Sequence, residues 1–228
     1  MSMFSDLKTR LRKWKLNRRS PSEVFSAYYR NNKWGDPDSR SGKGSNLRAT
    51  QDLRPQLPPL FAELGVKSLV DLPCGDFFWM QHVDLSGISY LGGDIVPELI
   101  ASNKAKYAGD GIEFAVIDLI TGPIPKADLI FVRDCLVHLS HAHVAAALAN
   151  IQASGSSYLL TTLYPSTENN DDIVTGQWRA LNLTKAPFNL PEPKRIIAEG
   201  ASSERGQGPG KMLGLWEIKE LTTLGAVK

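Results

Sequence analysis

Three short apolar runs in succession each carry an aspartate at or near their end. Lys67–Leu72 holds Asp71, Ile88–Ile95 holds Asp94 and Ile112–Asp118 closes on Asp118. Runs of this length suit strands, not helices. A carboxylate repeated at the same place in three strands confines the chain to folds whose strand ends converge on one polar site.

The segments around these runs extend the pattern. Ala127–Arg133 and Ser157–Tyr164 read as two further strands. Pro97 suits the first turn of a helix reaching about Ala108. Ser140 can cap a helix whose apolar positions are Val144, Leu148 and Ile151, with Gly155 near its end. Upstream, Asn46–Leu64 reads as a helix interrupted by Pro55, Pro58 and Pro59 and stopped at Gly65. Strands alternating with helices predict a parallel sheet covered on both faces. Lys194–Glu199 and Met212–Ile218 follow as two last strands, joined by a Gly-rich loop over 200–211, which predicts an antiparallel hairpin at one edge. The expected fold class is therefore α/β: a Rossmann-like three-layer sandwich with a mostly parallel seven-stranded sheet and an antiparallel C-terminal hairpin. No run of eighteen apolar residues is present, so no transmembrane helix is expected.

Charge divides the chain unevenly. The formal net charge is +2 over 228 residues. Lys8, Arg10, Arg12, Lys13, Lys15, Arg18 and Arg19 crowd into residues 1–20 against the single acid Asp6, so the remainder carries a small acidic excess. A body of that sign is not expected to hold nucleic acid stably by its overall field. Within the arm, Phe4, Leu7, Leu11 and Trp14 follow helical spacing. That allows either a solvated tail or an amphipathic helix making weak contact with an anionic membrane surface or RNA. The expected organisation is a basic arm over 1–20 and a single domain over 21–228, with a lid at about 165–192. The basic terminus lacks a following apolar stretch, so no secretory signal is expected. Cys74 and Cys135 are too few for a disulfide framework or a four-thiolate zinc site. A cytoplasmic setting and no metal follow as expectations.

The first strand leaves through Val70–Trp79 (VDLPCGDFFW), where Gly75 can take a left-handed turn toward an expected helix. Asp94 ends the next strand, where a carboxylate can accept both hydroxyls of a ribose. Asp118 can accept from an adenine amino group. Turn, helix, strand and acid in this order form a nucleoside-binding layout. The missing G-x-G-x-x-G argues against a dinucleotide oxidoreductase.

These residues resemble the class I S-adenosylmethionine-dependent methyltransferases. Asp71–Asp76 matches their first motif, Asp94 in YLGGDIVPELI the ribose acid, Asp118 in FAVIDLI the adenine-side acid, and ADLIFVRDCLVHLS the fourth strand and its loop. The chain is similar, from about Ser22 to Leu221, to a bacterial subgroup of such enzymes. The shared segments are Trp34-Gly35 with Ser41–Ser45, Pro73–Trp79, Arg133–Ser140 and Trp178–Pro193. Pro73 and Phe77 depart from the usual first and third glycines of the motif. The resemblance implies S-adenosyl-L-methionine as cofactor. It implies cofactor contacts from Trp34, Ser41, Gly42, Gly44, Ser45, Asp71, Pro73, Cys74, Gly75, Asp94, Ile95, Asp118, Leu119 and Arg133. Asp71 would face the methionine amino group, the Ser41–Ser45 segment its carboxylate, and Trp34 would cover the site. Subgroup members resemble accessory enzymes of glycan assembly, which implies a small-molecule or glycan hydroxyl as acceptor. A nitrogen acceptor, in a metabolite or nucleic acid, and a non-catalytic nucleotide-binding module remain open.

Methyl transfer needs a nucleophile held in line and a group to take its proton. His138 suits that base by its ordinary pKa, with Asp134 orienting the ring or acting itself. Residues 165–192 show no period and are rich in Asn, Asp and Pro. A stretch that long predicts a binding loop or lid. With Tyr164 just before it, it offers aromatic faces and hydrogen-bonding groups to substrate through Asn170, Asp171, Trp178, Arg179 and Asn182.

Overall fold

In a computed structural model of the chain, the described residues are 14, 16–200 and 210–221. Most of the basic arm, and the loop over 201–209, lie outside them. Seven strands form one sheet: β1 (Ser68–Asp71), β2 (Ser89–Asp94), β3 (Ile112–Val116), β4 (Leu129–Val132), β5 (Tyr158–Leu163), β6 (Arg195–Ala198) and β7 (Met212–Glu217). Their spatial order is β3-β2-β1-β4-β5-β7-β6. Strands β1 to β5 are mutually parallel, while β7 runs antiparallel to both β5 and β6. The terminal pair is therefore a hairpin whose second strand inserts between β5 and the first. This makes β6 the sheet edge. Each strand lies within two residues of its expected bounds.

Alternation along the strands builds two cores. Leu69, Leu129, Phe131, Leu160 and Leu213 face helices α2 (Leu57–Leu64) and α3 (Pro97–Tyr107). Val70, Ile130, Val132, Leu159 and Trp216 face helix α4 (His141–Ala153). Helix α2 ends on Gly65, left-handed at φ 66°, and α4 starts on Ser140, whose hydroxyl accepts from the His143 N–H. Upstream of α2, a short 3-10 turn (Arg54–Gln56) replaces the longer expected helix. Pro55 falls in that turn, and Pro58 and Pro59 fit only the first turn of α2, so regular helix begins at Leu57. Helix α1 (Pro21–Arg30) was not expected. Ser20 and Glu23 cap it reciprocally, and Pro21 sits in its first turn.

Two further differences bear on the site. No α-helix follows β1. The chain makes turns and a 3-10 segment, Met80–His82, because Phe77 takes a left-handed conformation (φ 57°) and inserts its ring among Tyr90, Tyr107 and Phe114. Bulk at the third glycine position thus fills a core instead of blocking one. The stretch over 165–192 is packed in its second half: Leu181, Leu183, Phe188 and Leu190 are buried against the α4 face of the sheet. Among the described residues, no helix is long and apolar enough to cross a membrane.

Candidate active site

The sheet order reverses at β1, which has β2 on one side and β4 on the other. Open parallel sheets bind ligands beyond such a point, at the strand C-termini. A cavity of about 530 Å³ lies there. Its floor includes Asp71, Pro73, Cys74, Gly75, Asp94, Ile95, Asp118, Leu119, Arg133 and Asp134, and Trp34, Ser41, Gly42, Ser45, His138 and Trp178 also line it. Sixteen of the expected site residues therefore meet in one space.

The turn after β1 is stitched on three sides. The Cys74 N–H donates to Gly93 O at 2.8 Å, and Asn103 Nδ2 donates to Gly75 O at 2.7 Å. Asp76 accepts from the Arg40 N–H at 2.7 Å and from the Ser39 hydroxyl at 3.0 Å, and its own N–H donates to Ser41 Oγ at 2.9 Å. The Ser41 hydroxyl is thus engaged with Asp76, which changes its expected part in an anion nest. Gly75 sits at φ 55°, and a Cβ there would lie 2.2 Å from Ser41 Oγ. Gly75→Ala is expected to cost about 1–3 kcal/mol through the left-handed backbone and the collision. A thermal melt should fall by several degrees and residues 31–45 should become protease-sensitive. An unchanged melt would refute the role of this contact.

The strand-end carboxyls sit in different environments. Burial pushes the Asp71 carboxyl up to about 7, against the opposing effect of the Tyr90 hydroxyl, which donates to Oδ2 at 2.7 Å. Burial raises Asp94 to about 6, opposed by the backbone N–H groups of Val96, Gly75 and Ile95. Asp118 lies two residues beyond β3 and accepts from the Ile120 N–H and the Thr121 hydroxyl. Gly44 does not line the cavity; its carbonyl accepts from Arg133 Nη1 at 2.9 Å, tying residues 31–45 to β4.

His138 ends a 3-10 turn, Leu136–His138, after β4. Its Nδ1 lies 2.9 Å from Gln177 O. A carbonyl only accepts, so Nδ1 carries the proton and Nε2 keeps its lone pair. Burial lowers the ring's pKa, with Gln177 and Asp134 opposing. The expected orienting role of Asp134 is therefore corrected: Gln177 holds the ring. Asp134 is instead ion-paired to Lys211 and Arg133. Burial works to raise its pKa, but those two cations prevail and keep it below the ordinary value.

Lys211 and Glu199 have fully buried side chains, and Glu199 Oε2 accepts from Arg133 Nε and Nη2 while facing Lys211 Nζ at 3.2 Å. Neither residue carried a motif. They flank the Gly-rich loop, and only the fold brings them to β4. The part of the aromatic cover beyond Trp34 was also missed. Phe25 and Tyr28 of α1 pack on Trp34, and Ser20 and Glu23 mark that helix only through its cap.

The expected acceptor readers divide. Trp178 lines the cavity and is 44% exposed. The others do not line it. Asn170 and Asn182 bond within their own loop, to Asn182 O, Ala186 O, Pro165 O and Thr167 O. Asp171 is exposed on the surface. Arg179 is buried and donates from Nη1 to Leu136 O; Tyr164 is buried beneath Trp178. Asn and Asp in a loop more often close its turns than face a ligand.

No family model matches the chain, and no curated protein matches it. Solved structures do resemble it. Human N-acetylserotonin methyltransferase in complex with SAM is 15% identical, with a TM-score of 0.58, over 93% of this chain and 65% of that one. The chain thus spans less than two thirds of that enzyme's length. N-methyltransferase NodS from Bradyrhizobium japonicum WM9, in complex with S-adenosyl-L-homocysteine, is 14% identical, with a TM-score of 0.59, over 83% of this chain and 97% of that one. Magnesium protoporphyrin IX methyltransferase from Synechocystis PCC 6803, with bound SAM, is 12% identical, with a TM-score of 0.57, over 87% and 97%. At these identities the likeness is one of fold: the chain has the Rossmann-like α/β fold of class I methyltransferases.

Proposed function

We propose that this chain is an S-adenosyl-L-methionine-dependent methyltransferase acting on a hydroxyl of a small molecule or glycan. The carrying observation is that Asp71, Asp94, Asp118 and, from the Ser41–Ser45 segment, Ser41, Gly42, Lys43 and Ser45 line the same cavity as His138. The donor set fits the cofactor. Asp94 offers a buried carboxylate to the ribose hydroxyls, and Asp71 one to the methionine ammonium. Ile95 and Leu119 offer apolar surface to the adenine, and Asp118 an acceptor to its amino group. Gly42 and Lys43 line the cavity as well and would serve the methionine carboxylate. Similar folds crystallised with SAM or S-adenosylhomocysteine support this reading.

When bound, the cofactor supplies a methyl group on a sulfonium: the acceptor oxygen's electron pair forms the new O–C bond, the C–S pair stays on sulfur, and the hydroxyl proton must depart. His138 Nε2 is the group in the cavity suited to take that proton. Gln177 fixes the required tautomer, and the Asp134 carboxylate favours the imidazolium that results. Because burial lowers the His138 pKa, the acid limb of kcat/KM for the acceptor, with cofactor saturating, should lie below the ordinary histidine value. His138→Gln should lower kcat by about 10²–10⁴-fold with S-adenosylhomocysteine affinity preserved. Unchanged turnover in that variant would remove His138 from the chemistry. The reading itself is tested by calorimetric titration of S-adenosylhomocysteine into the whole chain. Micromolar binding is expected, and no binding would overturn it.

A further inference from the structure

We propose that the acceptor is a small planar aromatic bearing a hydroxyl, a phenol, and not a glycan. The inference rests on the methyltransferase reading and narrows its substrate. It starts from what surrounds His138. The Trp34 ring lies 6.1 Å from the imidazole. Phe25 stacks on Trp34 at 6.5 Å and 22°, and Tyr28 meets Trp34 edge-on at 5.5 Å. Tyr28 commits its hydroxyl to Gly176 O, donating at 2.8 Å. The panel therefore offers the cavity mainly aromatic ring surface. Trp178 stands half-exposed in the same lining and offers an indole face. Offset or edge-on contact with such rings favours another flat ring.

A glycan makes the opposite demand. Each buried sugar hydroxyl needs a partner, and each left unpaired weakens binding. The loop amides and charges suited to that work are elsewhere: Asn170 and Asn182 close their own loop, and neither Asp171 nor Arg179 lines the cavity. Gln177 Oε1 accepts from the Val174 N–H, and Asp134 is held by Lys211 and Arg133. Base strength agrees with this. An imidazole whose basicity is lowered by burial takes a proton more readily from a phenol, with a pKa of about 10, than from a far less acidic alkyl hydroxyl.

The test uses the full chain with 4-methylphenol, 4-methylcyclohexanol and methyl β-D-glucopyranoside as probes. Binding is followed by ligand-observed NMR and equilibrium dialysis, with and without saturating S-adenosylhomocysteine. The phenol is expected to bind about tenfold more tightly than the non-planar alcohol or the glucoside, and Trp178→Ala to reduce that binding about fivefold. With S-adenosylmethionine, the phenol alone should give a methyl ether. If S-adenosylhomocysteine binds but the glucoside is held as well as the phenol, or the phenol is not held at all, the aromatic acceptor is wrong and the methyltransferase reading survives. A phenol preference in a chain that does not bind S-adenosylhomocysteine upholds the aromatic site and removes the methyltransferase reading.

Discussion

Asp94→Ala should weaken S-adenosylhomocysteine binding by a hundredfold or more. A carboxylate receiving two ribose hydroxyls makes two charge-assisted hydrogen bonds, each worth about 1.5–3 kcal/mol. Loss of even half of that total exceeds one decade in affinity. The substitution also releases the N–H groups of Gly75, Ile95 and Val96, which now converge on the carboxylate. Asp94→Asn separates the two effects: it keeps an acceptor oxygen and the side-chain volume, so it should bind between the wild type and the alanine variant. Calorimetry on all three chains reads this out, and wild-type affinity in Asp94→Ala would place the ribose elsewhere.

The same carboxyl makes binding depend on pH. Asp94 is raised to about 6 and Asp71 to about 7 in the unliganded protein. Ligand hydroxyls and an ammonium favour the ionised forms, so affinity should climb between about pH 5 and about pH 8, then level off. Stability runs the other way. The folded chain holds these two protons more tightly than the unfolded chain, so the unliganded protein should lose stability as pH rises from about 4 to about 7.

Glu199→Ala should be strongly destabilising, at about 3–5 kcal/mol, or about 6–20 °C in melting temperature. Arg133 and Lys211 would keep their charges in a buried space with Asp134 as their one paired carboxylate and Asp71 at longer range. Breaking a buried charge cluster from one side costs more than the pairs contribute together, because the remaining ion is left without a counter-ion. Glu199→Gln retains an acceptor for the Arg133 fork and should fall part-way. A melting point for Glu199→Ala within about 2 °C of wild type would show that water reaches the cluster and replaces the lost charge.

The legible part of this protein was the part governed by short periods and local chemistry. Short apolar runs marked the strands, Gly65 and Ser140 marked helix ends, and the strand-end acids met in one cavity because a parallel sheet places strand C-termini together. Helix α1 was equally local: Ser20-Pro21-Ser22-Glu23 is a capping-box signal, overlooked beside the basic arm. Other features depend on distance in space. The Arg133–Glu199 pair joins residues 66 positions apart, and no pattern in either segment announces it. The polar loop residues misled because Asn and Asp serve turns and ligands with the same groups. Asn170 bonding to Asn182 O and Ala186 O is invisible without coordinates. The turn after β1 departed from expectation for a reason of size: Phe77 needed a core, and taking one ended the chance of a helix.

The cover over the cavity also orders events on the ribosome. Residues 21–45 are made early, yet their anchors come late: Ser41 needs Asp76, Ser22 reaches Ile95 O, and Gly44 O waits for Arg133. Tyr28 bonds to Gly176, a residue made 148 positions later. The segment translated ahead of the sheet is thus among the last to find its place. Until then the Phe25, Tyr28 and Trp34 rings have no wall to close against, so the nascent chain carries its most aromatic surface uncovered through most of synthesis.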